Sequence, residues 1–197
     1  MADYRAIAAV SEAIVYLLES QYRPEDFDGN QLQFKVYLAK DFAQPMEAGV
    51  SCFLYRIYAN GTHRTPSGRL RTDGQRYRPQ LPPDLHFLLT AWARDASLQH
   101  TVAGWMMRLL DDTPSLPAGL LNHNMPGSFH PDETVEISLT ELTTEELFHI
   151  WEVIVNNAYQ ISVPYVARNV RIESQQLLSF GRPIQERTFD MRQLKRL

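Results

Sequence analysis

Asp84 and His86 interrupt an otherwise apolar run, and an acid beside an imidazole is the raw material of a general-base relay. The plainer reading is a carboxylate at a strand entry and a histidine hydrogen-bonded within a sheet. His123, His130 and Asp132 could be imagined as metal ligands, but their spacing matches no zinc pattern with a geometric reason behind it. Asp111-Asp112 could hold a cation, yet two acids at a helix C-terminus sit against the helix dipole and read as solvated. Glu145-Glu146 is explained by helix capping. Cys52, the single cysteine, lies inside an apolar run and reads as a small core residue. There is no Gly-x-Ser-x-Gly elbow, no glycine-rich phosphate loop and no Cys-x-x-Cys. Nucleophile, base and orienter do not assemble. The expectation is a protein that is not an enzyme and uses no metal or cofactor.

The elements that position these residues follow from periodicity. Ile7, Val10, Ile14, Leu17 and Leu18 form a helical stripe over residues 3–20. Residues 31–38 alternate, with Leu32, Phe34, Val36 and Leu38 pointing to one side. Residues 49–58 are apolar on both faces. Asn60-Gly61 signals a turn, and the segment to Gln80 has no hydrophobic period. It holds Arg64, Arg69, Arg71, Arg76 and Arg78, and reads as a long basic loop or hairpin. Two prolines, Pro82 and Pro83, then open the run that continues through Leu85, Leu88, Leu89 and Thr90 to Ala93. A short run so bounded, without strict alternation, predicts a central strand buried on both faces.

A second helix spans 98–111, and an irregular connector rich in Pro, Gly and Asn covers 112–133. Residues 134–140 alternate as a strand. Thr143 with Glu146 makes a capping box, and Leu147, Ile150, Trp151, Ile154 and Val155 supply that helix's apolar face. The last strand, 159–172, contains Pro164, which predicts an edge or a bulge. The sum is an α+β domain over 1–172, a mixed sheet flanked by helices, followed by an extended or weakly ordered tail, 173–197. That tail carries Arg187, Arg192, Lys195 and Arg196.

Bulk properties bound the function classes. The chain has 197 residues, 44% of them hydrophobic, which suffices for one substantial core. A formal net charge of −4 argues against a protein built as a whole to condense on nucleic acid. The start lacks the pattern of a signal peptide, and no stretch is long enough for a membrane-spanning helix. Synthesis in the cytoplasm without membrane insertion is expected.

One combination of segments is more specific. It begins with Phe53-Leu54-Tyr55-Arg56-Ile57, the Arg-rich loop, and Pro83-Asp84-Leu85-His86-Phe87-Leu88-Leu89-Thr90-Ala91. There follow Leu109-Leu110-Asp111-Asp112-Thr113-Pro114, Val135-Glu136-Ile137-Ser138-Leu139, Thr144-Glu145-Glu146-Leu147, and the stretch from Tyr159 to Arg168. Together they resemble the cap, or tail-terminator, proteins of phage-tail-like contractile injection systems, over nearly the whole chain to about Ile172. The resemblance implies a tail-terminator-like fold and a structural role. Such a protein forms a six-fold ring at the end of the particle distant from the baseplate, stops the inner tube and anchors the last sheath layer. Its partners would be copies of itself, the tube protein and the sheath protein, within a particle either cytoplasmic or released. Asp84, Leu85, His86, Leu88, Leu89 and Thr90 would then be fold-defining, and the arginines of the loop and the basic tail would meet tube or sheath. The competing reading is a nucleic-acid-binding module using the 63–78 loop. Its arginines lack interleaved aromatics apart from Tyr77, and no known binding motif accompanies them.

Overall fold

The computed structural model describes residues 2–61, 68–70, 74–154 and 159–178. Its elements in chain order are α1 (Ala6–Gln21), β1 (Gln33–Tyr37), β2 (Gly49–Ala59), β3 (Arg69–Leu70), β4 (Arg76–Tyr77), β5 (Pro83–Trp92), α2 (Ala96–Asp112), β6 (Ser115–Pro117), α3 (Ala118–Leu121), β7 (Thr134–Leu139), α4 (Thr144–Ile154) and β8 (Ser162–Arg168). Short 3-10 turns at Pro24–Phe27 and Ala39–Ala43 flank β1. This is the expected α+β architecture: a six-stranded mixed sheet with helices on it, in the order β1-β2-β5-β8-β7-β6. Among the described strands β1 and β2 pair parallel; the other ladders of this sheet are antiparallel.

The apolar run around His86 is the central strand the composition predicted. β5 pairs with β2 on one side and β8 on the other. Its alternate residues feed two separate cores. Leu85, Phe87, Leu89 and Ala91 join the larger core with Val10, Ile14 and Leu18 of α1, Met106 and Leu110 of α2, and Ile137 of β7. Leu88 and Trp92 face the other way, into a smaller aromatic core with Tyr37, Phe42, Met46 and Trp151 of α4. Each fully buried Leu or Phe contributes roughly 2–3 kcal/mol by removal from water, and a strand used on both faces has no reason to alternate.

The second core changes the reading of residues 31–38. Leu32, Phe34 and Val36 do face the larger core. Leu38, expected beside them, is 61% exposed, whereas Tyr37, expected on the polar side, is buried. The cause is the crossover 38–48. Parallel neighbours need a connection that travels back along the sheet, and this one packs Phe42 and Met46 over Tyr37 on the face opposite α1.

Two other expectations are corrected. The connector 112–133 contains the edge strand β6 and the short helix α3. Pro164 does not mark an edge strand: β8 lies inside the sheet, between β5 and β7. Pro164 is tolerated because its carbonyl accepts from Thr140 N at 3.1 Å, just past the end of β7. In an extended strand a residue's nitrogen points to the same side as its carbonyl, so the missing N–H falls where that ladder stops. β8 is also shorter than the predicted 159–172.

Candidate assembly surface

The polar residues of β5 do structural work. Asp84 accepts from Asn60 Nδ2 at 3.1 Å, tying the strand entry to the turn after β2. His86 faces the Tyr55 ring, with centroids 6.0 Å apart. Burial lowers its pKa, the Arg56 guanidinium lowers it further, Asp84 opposes and Arg168 adds to the lowering. No hydrogen bond joins Asp84 to His86, so the relay geometry considered from their spacing is absent among the described residues. Thr90 is fully buried and hydrogen-bonds Ser162 across to β8 at 2.9 Å. Leu85, Leu88 and Leu89 are fully buried.

The other chemical candidates are likewise accounted for. His123 stacks on Tyr16 of α1 at 3.6 Å. His130 and Asp132 are 3.3 Å apart and both largely exposed. Asp111 and Asp112 pair with Arg108 of the same helix. The Glu145-Glu146 pair sits at the start of α4. There Glu146 accepts from Thr143 N at 2.9 Å while Thr143 Oγ1 accepts from Glu146 N at 3.2 Å, the reciprocal capping box the sequence predicts. Among the described residues no three His, Cys, Asp or Glu side chains converge on a possible metal site. No helix among them is long and apolar enough to cross a membrane.

What the surface does offer lies in two places. One is the basic segment after β2. Its described part is a hairpin, β3 with β4, and Arg76 and Arg78 are exposed there. Arg69 lies on β3; the side chain of Arg69, and the whole of Arg64 and Arg71, fall outside the described residues. Residues 173–178, the beginning of the expected extended tail, run beside this hairpin. Arg78 N donates to Gln176 O, Leu178 N to Arg76 O, and Glu173 N to Ala2 O. The tail residues Arg187, Arg192, Lys195 and Arg196 also lie outside the described residues. Leu70, Leu81 and Leu177 are exposed around this end, an apolar accent that a purely electrostatic loop would lack.

The second place is the flank of α4 on the smaller core, which the sequence reading treated as simply packed. Trp151 is buried there, but Phe148 is 51% and Val153 87% exposed. Beside them runs a groove of about 410 Å³ lined by Ala39, Phe53, Tyr55, Ile150, Val153 and Ile154. The signal was in the sequence: α4 carries apolar residues at 147, 148, 150, 151, 153 and 154, more than one stripe can bury.

Exposed apolar patches and a basic hairpin are surfaces of the kind that suit contact with other proteins. Residues 9–186 match the Pvc16 N-terminal domain. The chain belongs to the Pvc16 N-terminal domain family. No curated protein matches it. Solved structures that share the fold include two terminator proteins. One is the sheath/tube terminator of an extracellular contractile injection system, PVC, in its extended state, seen by cryo-EM; it superposes with a TM-score of 0.62 at 16% identity and covers 97% of this chain. The other is the tube-terminating cap of the anti-feeding prophage, with a TM-score of 0.59, 16% identity and 92% of the chain covered. The tail-terminator fold implied by the sequence segments is therefore the fold found. This chain spans 65% and 60% of the lengths of those two proteins.

Proposed function

We propose that this Pvc16-family chain is a structural tube terminator of a contractile injection system. The observation that carries the reading is the fold shared with a sheath/tube terminator across 97% of the chain. On this reading the protein acts by shape rather than catalysis. Six copies close a ring through head-to-tail contacts, in which each copy offers a different patch to its two neighbours. The ring sits on the last layer of the inner tube, ends its growth and holds the last sheath layer. The domain up to residue 172 forms the ring body. The arginines of the basic segment, Arg64, Arg69, Arg71, Arg76 and Arg78, meet an acidic rim on the neighbouring ring, and the tail arginines and lysine serve the sheath joint. The protein is made in the cytoplasm and leaves it, if at all, as part of the particle.

The decisive experiment is electron microscopy of particles from a producer lacking this chain. Inner tubes of uncontrolled length and sheaths that detach or contract early are expected. Particles of normal length with intact sheaths would overturn the proposal. A reconstruction of complete particles should show a ring of this chain at the baseplate-distal end. Charge reversal of Arg69, Arg71 and Arg76 should weaken capping and increase its sensitivity to salt while leaving the domain folded.

A further inference from the structure

A knob and a groove lie on opposite sides of the main sheet. The knob is the hairpin of β3 and β4, a two-stranded sheet separate from the six-stranded one. Leu70 stands opposite Arg76 in its ladder, so their side chains share a face, and Arg78, two residues beyond Arg76, shares it too. Leu70 is 61% exposed, and Arg78 is exposed beside it. The hairpin is anchored on the larger core's side. Leu81 exchanges backbone hydrogen bonds with Ile172, which packs against that core and bridges to Ala2. The groove beside α4 is on the other side, where Phe53, Tyr55 and Ile150 pack against the smaller core. Its rim is acidic. α4 carries Glu145, Glu146 and Glu152 and no lysine or arginine. Arg56 of β2 offsets Glu146, and Lys40 and Asp41 of the crossover turn offset each other. Glu152 stands at the groove, its carboxylate 3.1 Å from Nδ1 of His149 in the lining.

We infer that two copies of this chain join head to tail through these surfaces: Leu70 of one copy enters the groove between Tyr55 and Val153 of the next, and Arg78 lies against Glu152 at its rim. Each surface pairs an apolar element with a charge, and the charges are opposite. The spacing agrees. Diagonal neighbours across an antiparallel ladder are about 7–8 Å apart, so a leucine seated in the groove leaves Arg78 within a side chain's reach of the rim. The two surfaces cannot meet within one molecule, because the hairpin is tied to the side of the sheet away from the groove. Like-with-like contacts are disfavoured: groove on groove would bring the glutamates of two α4 helices together, and hairpin on hairpin would oppose arginines. A contact between unlike patches leaves one hairpin and one groove unused in every pair, so it continues from copy to copy until it closes. This deepens the proposed terminator reading, on which the closed ring rests, by naming the surfaces through which its copies meet.

The test uses the full chain of 197 residues without tube or sheath. Its failure would remove this contact and leave the terminator reading to be judged on particles. The photoreactive residue p-benzoylphenylalanine replaces Val153, whose 87% exposure accommodates it. This probe chain is mixed with an isotope-labelled acceptor chain at about 1 mM and low salt, where a contact with a Kd of about 1 mM is substantially populated. Irradiation and peptide mass spectrometry should give cross-links from position 153 to labelled residues 68–70 or 74–81. Leu70→Asp in the acceptor should lower the yield severalfold, and so should Arg78→Glu. Glu152→Arg in the probe chain should restore the yield lost to Arg78→Glu, which a damaged hairpin would not allow. Absence of cross-links to the labelled hairpin, cross-links chiefly to the labelled α4, a yield indifferent to Leu70→Asp, or no recovery on charge exchange would each overturn the inference.

Discussion

At the scale of single residues, the groups that looked chemical are set by burial. Cys52 is fully buried, and burial, with the Glu12 carboxylate second, pushes its thiol far above the ordinary range. It should be inert to thiol reagents in the native protein and label completely in denaturant; labelling of the folded form would show that the core opens. His86 gives a pH dependence with a definite sign. Its folded pKa lies below the unfolded value of about 6.5, so the unfolded chain binds the extra proton first. Its contribution to stability is therefore intact above that value and is lost as pH falls through it toward the lower folded value. Denaturant midpoints measured from pH 7.5 to 5 should decline, and His86→Gln should flatten the decline. Tyr165 has a buried hydroxyl without a hydrogen-bond partner among the described residues, and burial, with Asp111 second, pushes its pKa up to about 12. An unsatisfied buried hydroxyl costs on the order of 1–3 kcal/mol, so Tyr165→Phe should stabilise the fold by about 1 kcal/mol in urea titrations. These environments were not legible in the sequence. Asp84-x-His86 reads alike whether or not the two side chains meet, because a spacing of two fixes a strand face and not a hydrogen bond.

At the scale of elements, local signals were reliable where they name a mechanism. The Thr143-Glu146 capping box is formed as read, and Thr143→Ala should cost about 1 kcal/mol. Gly49 was legible only as the start of a strand, yet its backbone lies hard against that of β1. Its φ is +140°, and a Cβ there would run into the backbone of Gln33, its partner in the parallel ladder. Gly49→Ala should push β1 off the sheet and cost on the order of 3 kcal/mol, a strained backbone plus a lost ladder; exchange of the amides of Gln33 to Tyr37 is the measurement that checks it. The missed elements share a cause. β6 has three residues and α3 four, too few for any period to show. Tyr37 was assigned to the wrong face because alternation specifies two faces and says nothing about what a crossover will lay on the second.

At the scale of the whole molecule, the sequence indicated a mixed sheet with helices but not its strand order, because order depends on which ladders form between distant segments. It did indicate that β5 is central, since only burial on both faces explains an unbroken apolar run. The start of the tail belongs with the body. Gln176 and Leu178 exchange backbone hydrogen bonds with the β4 region, and Glu173 reaches Ala2. A chain truncated after Leu178 should therefore melt within a few degrees of the full protein, whereas truncation after Ile172 should lower the midpoint further. Equal midpoints for the two would show that these bonds contribute nothing. The position of β8 has a consequence for biosynthesis. Among the described strands it is the last to leave the ribosome, yet its place is between β5 and β7. Until Ser162 to Arg168 has emerged, the nascent chain holds two incomplete sheets: β1, β2 and β5 with one raw flank, β6 and β7 with another. Neither can close the main core, because Tyr165 and Ala167 belong to it. The domain cannot mature piecewise from its N-terminus. Completion of the sheet during synthesis waits for this seven-residue insert, and during that wait the exposed flank of β5 is the site a chaperone would have to cover.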